Sequence, residues 1–359
     1  MNKDNRFIYL FKLIACIFVI TIHAPFPGLF GDLVGSISRF AVPFFFAVSG
    51  RYLLAGRGYE TPKEPAGIRN MVCKRLLRLF RMTLIVYSLH LAFSLWFYLS
   101  GGTTLHEWFW DKFNPFEARI FILFNSGRFI YDGSYVFDHM WYLFALIYVY
   151  ILIIIFAKVL RKWYKGLIVL LLGMLFFGEL LQVYYPIRPF DISINTWYVL
   201  RNWLFVGMPF VLLGVLFGDY IEKLEGGASD CGAKNKLIRF RPFYIILIIA
   251  GCIFSFAESM IFGSKEVYTG SVMIVVGILF LSEVHGPLRT SLWKIGKRSS
   301  SNIYFYHVLI IAVLDILSQR GIIPQYTMWQ KPLIVIVICL LLFGCIPFLY
   351  DRVRGREFV

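Results

Sequence analysis

Charge is what this chain has least of. Only 16 % of its 359 residues are Asp, Glu, Lys or Arg, 59 % are hydrophobic, and the mean hydropathy is +0.70. Soluble domains carry roughly a quarter of their residues charged, so this composition excludes an ordinary water-soluble globular protein. Acids are scarcer still, 21 against 36 basic residues, which leaves a formal charge of +15. There is no GxxxxGK[ST] run, and with it goes the usual nucleotide-hydrolysing loop. The six cysteines are scattered without CxxC spacing, so neither a disulfide framework nor a metal site is suggested. No internal repeat is visible. The first apolar segment is too long for a signal-peptide core and lacks a small-residue cleavage site, so it is expected to stay as the first helix.

What the chain has in abundance is long apolar runs. They fall at about 7–24, 38–54, 82–99, 140–159, 166–182, 197–217, 243–262, 268–283, 301–318 and 332–350, each near the roughly 20 residues that span a hydrocarbon core. The expected fold is all-α: a polytopic bundle of about ten transmembrane helices forming one domain over 1–359. The shortest runs, 38–54 and 268–283, also fit re-entrant segments. With a cytoplasmic N-terminus, most basic residues fall in inner loops, among them the run from Arg51 to Arg81, the group from Lys158 to Lys165, and Arg352 to Arg356. Both termini are then cytoplasmic, and the basic balance reads as a topology signal rather than a nucleic-acid site.

Against this background the polar residues inside apolar runs stand out, because a cation in hydrocarbon costs about 2.5 to 3.5 kcal/mol even on lenient scales. Lys12 and His23 lie on the first segment, about 16 Å apart along a helix and on roughly one face. One reading has them line a polar path; the other has Lys12 snorkel to the inner surface and His23 cap the helix beside Pro25. The run Val42 to Gly50 (VPFFFAVSG) puts Pro43, Ser49 and Gly50 where backbones approach closely. Arg75 and Arg78, one turn apart before the third segment, present planar donors suited to phosphate oxygens, and equally suit an anchor on anionic headgroups. His90, Asp138, His139, Trp141, Glu179, Glu258, Asn302, His307 and Asp315 complete the set. Buried acids and imidazoles need partners, and structural interhelical hydrogen bonds would account for any one of them.

These residues carry a resemblance. Leu10-Phe11-Lys12 through Ile20-Thr21-Ile22-His23, VPFFFAVSG at 42–50, Lys74-Arg75-Leu76-Leu77-Arg78, Trp141-Tyr142-Leu143, and Ile295-Gly296-Lys297 with Ser299 to His307 are, in order and spacing, similar to membrane-bound acyltransferase family 3, in particular its acetyl-transferring members. Lys12 departs from the pattern, because the family has arginine there; charge survives but the five-donor fork does not. The resemblance implies a multi-pass protein of the bacterial cytoplasmic membrane, among membrane lipid, that moves an acyl group from cytoplasmic acetyl-coenzyme A, or another acyl-coenzyme A, to a hydroxyl of a glycan or lipid-linked sugar. In that scheme Arg75 and Arg78 grip the coenzyme phosphates, and Lys12 assists at the phosphate or the donor. His23 is the general base and Glu179 or Asp315 orients it, while Ser49, Trp141 and His307 give support. Cys16 lies two turns from His23, so direct transfer is favoured over an acyl-enzyme. The outer loops 101–139 and 184–196 are expected to choose the acceptor, with His106, Trp108, Trp110 and Asp111 either stacking on a sugar or forming an interfacial segment. The competing reading is a transporter or flippase for an envelope glycan, since proton relays use the same residue types.

Overall fold

Most of the described length of each apolar run anticipated from hydropathy is helical in the computed structural model, which describes residues 5–53, 65–184, 200–225, 235, 237–284, 288 and 290–354; no strand occurs among the described residues. In chain order the helices are α1 (Arg6–His23), α2 (Gly28–Ser38), α3 (Ala41–Leu53), α4 (Pro65–Ser100), α5 (Leu105–Phe113), α6 (Pro115–Phe124) and α7 (Trp141–Tyr184). A π-helical turn, Trp203–Gly207, leads into α8 (Met208–Glu225). Then come α9 (Arg241–Phe262), α10 (Thr269–Val284), α11 (Leu292–Gln319), α12 (Gln330–Leu340), a second π turn at Leu341–Cys345, and α13 (Ile346–Val353).

Among the described residues, eight helical stretches are long and apolar enough to cross a membrane; α10, at 16 residues, is shorter. The difference from the expected ten also involves α7, where the runs 140–159 and 166–182 join in one element with non-helical backbone at Phe156. That element folds back. A straight helix would hold Trp141 and Gly178 roughly 55 Å apart at 1.5 Å per residue. Yet Leu200 Cδ2 stands 3.7 Å from where a Gly178 Cβ would be, and the next residue, Arg201, lies over the Trp141 ring at 5.0 Å. The bend has a chemical signature: Arg69 donates from Nε to Ile154 O (2.9 Å) and from Nη2 to Ile155 O (3.4 Å), satisfying carbonyls that a helix end leaves open.

The chain divides into two compact units, Met1–Phe45 with Asp219–Val359, and Phe46–Gly218. In unit one, α1 and α11 lie side by side and run the same way. Tyr9 meets Gly296, Cys16 Sγ donates to Ser300 O at 3.1 Å, and His23 meets His307. Gly296 is required by this contact, since a Cβ there would sit 1.9 Å from Tyr9 O. Unit one also holds Thr21 Oγ1 against Ser38 Oγ at 2.9 Å, and Arg39 paired with Glu266 at 3.1 Å. In unit two the VPFFFAVSG run is explained by a crossing just as tight. A Cβ on Gly50 would lie 1.9 Å from Val211 O, and one on Gly214 1.9 Å from Ala47 O.

Candidate functional site

The helix register of unit one brings His23, the last residue of α1, against His307 of α11, ring centroids 5.2 Å apart. His307 is fully buried and His23 half-buried. The tautomer of His307 follows from its contacts. Its Nδ1 lies 2.7 Å from Tyr304 O and 3.1 Å from Ile303 O, and because a carbonyl oxygen only accepts, Nδ1 must carry the hydrogen in the neutral ring. Nε2 of His307 is then the lone-pair nitrogen, able to accept an N–H from a neighbouring imidazole.

Lys12 is half-buried three turns below His23, with Nζ 5.6 Å from the Tyr9 ring, a ring that Lys297 Nζ approaches to 5.9 Å. Cys16 stands one turn above Lys12 on the same helix, and its donation to Ser300 O marks it as a thiol in a structural contact. Asp315 sits eight residues beyond His307, roughly 12 Å along α11. Its carboxylate takes Lys331 Nζ at 2.8 Å and the Tyr326 hydroxyl. The contacts of Asp315 thus tie α11 to the segment entering α12, and the ring set beside His23 is His307. Glu258, another expected polar residue, accepts the Thr269 backbone N–H at 2.9 Å and so caps the start of α10.

In unit two, Arg75 and Arg78 lie on the long α4, Arg75 half-buried and Arg78 exposed. Arg75 is within electrostatic reach of Arg78 and of Tyr150. Tyr150 hydrogen-bonds Ser49, whose Oγ also meets Tyr142 Oη at 3.3 Å. Ser49 of the VPFFFAVSG run thus joins Tyr142 and Tyr150, and Tyr150 lies within electrostatic reach of Arg75. An apolar cavity of about 30 Å³ is bounded by Leu53, Ile68, Ile153, Leu212 and Arg161 among others.

A second polar group in unit two was not legible beforehand. Lys112 and Asp132 form an ion pair at 2.9 Å with side chains 1 % and 3 % exposed. Asp132 also accepts Ser94 Oγ (2.6 Å), Ser134 N (2.9 Å) and Ser134 Oγ (2.6 Å), and Lys112 Nζ lies 3.8 Å above the Phe137 ring. Burial pushes the Asp132 carboxyl up, but Lys112, Ser134 and Ser94 outweigh it and hold the group below the ordinary carboxylate range. Close by, Asp138 is pushed up to about 7, mainly by burial, against the pull of Arg201. His90 and His139, both buried, meet at 5.3 Å between centroids, and His90 Nδ1 lies 2.8 Å from Val86 O, the same backbone pin as on His307.

The expectation that Trp108 stacks on a ligand is corrected: it is buried and donates Nε1–H to Ser94 Oγ at 3.2 Å. Trp110 is exposed beside His106, and Asp111 faces Arg128 at 3.7 Å on the surface. Glu179 is buried in α7 next to Gly178. The loop 184–196, apart from Tyr184, lies outside the described residues.

A curated protein named serine/alanine racemase, from Enterococcus gallinarum, is 27 % identical over 368 residues, covering 94 % of this chain and 46 % of that protein. The chain thus spans under half the length of that relative. No solved structure matches the chain. A family profile described as an acyltransferase domain matches residues 5–351, nearly the whole length. With that match over nearly its whole length, and with several helices long and apolar enough to cross a membrane, the chain belongs to the acyltransferase family 3 domain family.

Proposed function

We propose that the protein moves an acyl group, acetyl by family likeness, from cytoplasmic acyl-coenzyme A to a hydroxyl of a glycan or lipid-linked sugar on the far side of a bacterial cytoplasmic membrane. The observation that carries this reading is the His23–His307 pair. His307, its Nδ1 committed to backbone carbonyls, keeps Nε2 as its lone-pair nitrogen, and its ring centroid stands 5.2 Å from that of His23. A His23 N–H donated to that nitrogen leaves the other His23 nitrogen unprotonated and fixed in direction, the arrangement a general base needs. His23 then takes the proton of the acceptor hydroxyl as its oxygen adds to the thioester carbonyl. The tetrahedral adduct expels the coenzyme thiolate, and His23 returns the proton to that sulfur. The ordinary imidazole pKa of about 6.5 suits both steps near neutrality.

Arg75 and Arg78 supply planar donors for the coenzyme phosphates. The half-burial of Arg75 against the Tyr150–Ser49 chain favours it as the fixed member of the two, with exposed Arg78 adapting. Lys12, a point charge where the family pattern it resembles has arginine, supports the donor through charge alone. The racemase name of the longer relative concerns a protein of which this chain spans under half, and it supplies no acceptor for this reading.

The test is incubation of purified protein with acetyl-coenzyme A labelled in the acetyl group and candidate envelope fractions. Free coenzyme A and a labelled, base-labile product are expected, both lost in His23→Ala. Arg75→Ala with Arg78→Ala should chiefly raise the KM for acyl-coenzyme A. Substrate movement across vesicles without coenzyme A release would establish transport and overturn the acyl-transfer reading.

A further inference from the structure

In unit two the pair α5 and α6 is too short to span a membrane and too apolar on its outside for water. At 9 and 10 residues the helices are about 14 and 15 Å long, half of a hydrocarbon core of about 30 Å. Yet Leu105, Phe109, Trp110, Phe116, Ile122 and Leu123 are each 50–64 % exposed. Together they leave on the order of 600 Å² of apolar surface open, and apolar exposure on that scale marks a protein or membrane contact.

The neighbouring helices fix the depth of the pair. α4 and α7 run antiparallel, with Arg69 meeting Ile154 and Tyr87 meeting Phe144, so the end of α4 and the start of α7 lie on the same side. Both belong to stretches long and apolar enough to span a membrane, and α4 keeps Leu84, Ile85, Leu89 and Phe97 exposed along its length. At the end of α4, Gly102 takes φ +92° and Thr103 N–H returns to Tyr98 O at 3.1 Å, which turns the chain out of the line of the helix. α5 then packs back along α4. Trp108 donates to Ser94 Oγ, six residues or about 9 Å before the end of α4. α6 is held at a like depth on α7, where the Tyr148 hydroxyl donates to Phe121 O at 3.1 Å, seven residues or about 10 Å from the start of that helix. A depth of about 5–10 Å is that of a helix seated at the boundary of headgroups and acyl chains.

The polar groups of the pair are satisfied within it, as an apolar setting requires. Thr104 and Glu107 form a capping box on α5, Asn114 Oδ1 accepts Phe116 N–H and Glu117 N–H at the start of α6, and Lys112 is sealed on Asp132. Charge is balanced across 104–128, with Glu107, Asp111 and Glu117 against Lys112, Arg119 and Arg128. Attraction to the membrane is therefore apolar, without a call for anionic headgroups.

We propose that α5 and α6 form a re-entrant hairpin seated in one leaflet, its open face covered by the acyl chains and headgroup boundary of zwitterionic phospholipid. The first part of the 101–139 loop then belongs to the membrane, and Trp110 is a depth anchor rather than a platform for a sugar. This holds whether or not the protein transfers acyl groups.

The experiment places the full chain in phosphatidylcholine nanodiscs and takes the fluorescence of the parent minus that of Trp110→Phe as the signal of Trp110. Lipid brominated at acyl carbons 6 and 7 should cut that signal at least twofold, and by more than iodide in the buffer does. A loss below twofold, or an iodide effect as large as that of the brominated lipid, would put Trp110 in water and overturn the proposal. Replacing a third of the lipid by phosphatidylglycerol should leave the quenching unchanged; a gain of twofold or more would assign the face to anionic headgroups and overturn the stated occupant. If Trp110→Phe does not fold, p-benzoylphenylalanine in place of Phe116 decides: illumination should add the mass of one phosphatidylcholine to the chain, and absence of that adduct overturns the proposal. Coenzyme A release from the same nanodiscs tests the transfer reading, and none of these outcomes bears on it.

Discussion

Each unit buries a histidine whose Nδ1 is pinned to the carbonyl four residues back, His307 on Ile303 in unit one and His90 on Val86 in unit two, and each sets a second imidazole beside it, His23 or His139. The surroundings differ. His23 ends a helix and is half-buried, so reactants can reach it, while His139 is sealed, 1 % exposed, in a layer that also holds Asp138, Arg201 and the Lys112–Asp132 pair. The same backbone device therefore sets a tautomer in both places, but of the two neighbouring imidazoles His23 is the half-exposed one. Charge sorting in unit two fits recognition; the sparsely charged, half-open pair in unit one fits chemistry.

The sharpest way to break this comparison is to exchange the two reactive candidates. His23→Ala should lower coenzyme A release by about 10²- to 10⁴-fold, the range for loss of a general base, whereas His139→Ala should leave turnover within about tenfold of the parent once folded protein is matched. The reverse ranking would place the chemistry in unit two. Stability should separate the units in the opposite sense. Lys112→Met strands a buried carboxylate and should cost about 3–5 kcal/mol, with recovery in Lys112→Met/Asp132→Leu. Lys331→Met, which breaks the partly exposed pair with Asp315 in unit one, should cost about 0–1 kcal/mol. Thermal unfolding in one detergent reads both, and equal costs would remove the distinction.

Smaller in effect, His307→Ala should slow turnover by about tenfold to a hundredfold, by analogy with loss of an orienting partner, and should shift the pH profile of kcat. His307→Gln, which still offers an acceptor oxygen, should recover part of the rate; an unchanged profile in both variants would make His307 a packing residue. A further signal is a pH slope. The Asp138 pKa, raised to about 7 in the folded protein, means that the folded state holds a proton that the unfolded chain gives up near pH 4. Stability should fall as pH rises from about 4 to about 7 and then level, and Asp138→Asn should flatten that fall.

The helical runs were legible because hydrophobic length alone specifies a spanning segment, and Gly50 was legible as a close approach, where a Cβ would lie 1.9 Å from Val211 O; Gly296 entered only through the family pattern, and its contact with Tyr9 O had no signal of its own. Arg75, Ser49 and Tyr142 could be singled out one by one, but nothing in local spacing says that Tyr150 joins them. The Lys112–Asp132 pair and the burial of Trp108 were hidden for the same reason: both depend on which segments a tertiary contact brings together, and the loop reads as polar and aromatic whether or not it is buried. Arg201 lies inside the 197–217 run, a cation that the sequence reading passed over, and its partner Trp141 lies sixty residues earlier. The fold-back of α7 left a faint trace, a basic cluster amid an apolar stretch, while the Arg69 contacts that close its bend left none.

The parallel seam of α1 and α11 also sets a timetable for biogenesis. Cys16 and Ser300 are 284 residues apart, so at about 5–20 residues per second of synthesis, α1 stands in the membrane for roughly 15–60 s before the helix it belongs with has been made. For that interval Lys12 and His23 must be sheltered by the insertion machinery, by water drawn into the bilayer or by temporary neighbours. Slow codons or a missing insertase between the two helices should therefore harm the yield of this protein more than changes of equal size after residue 319.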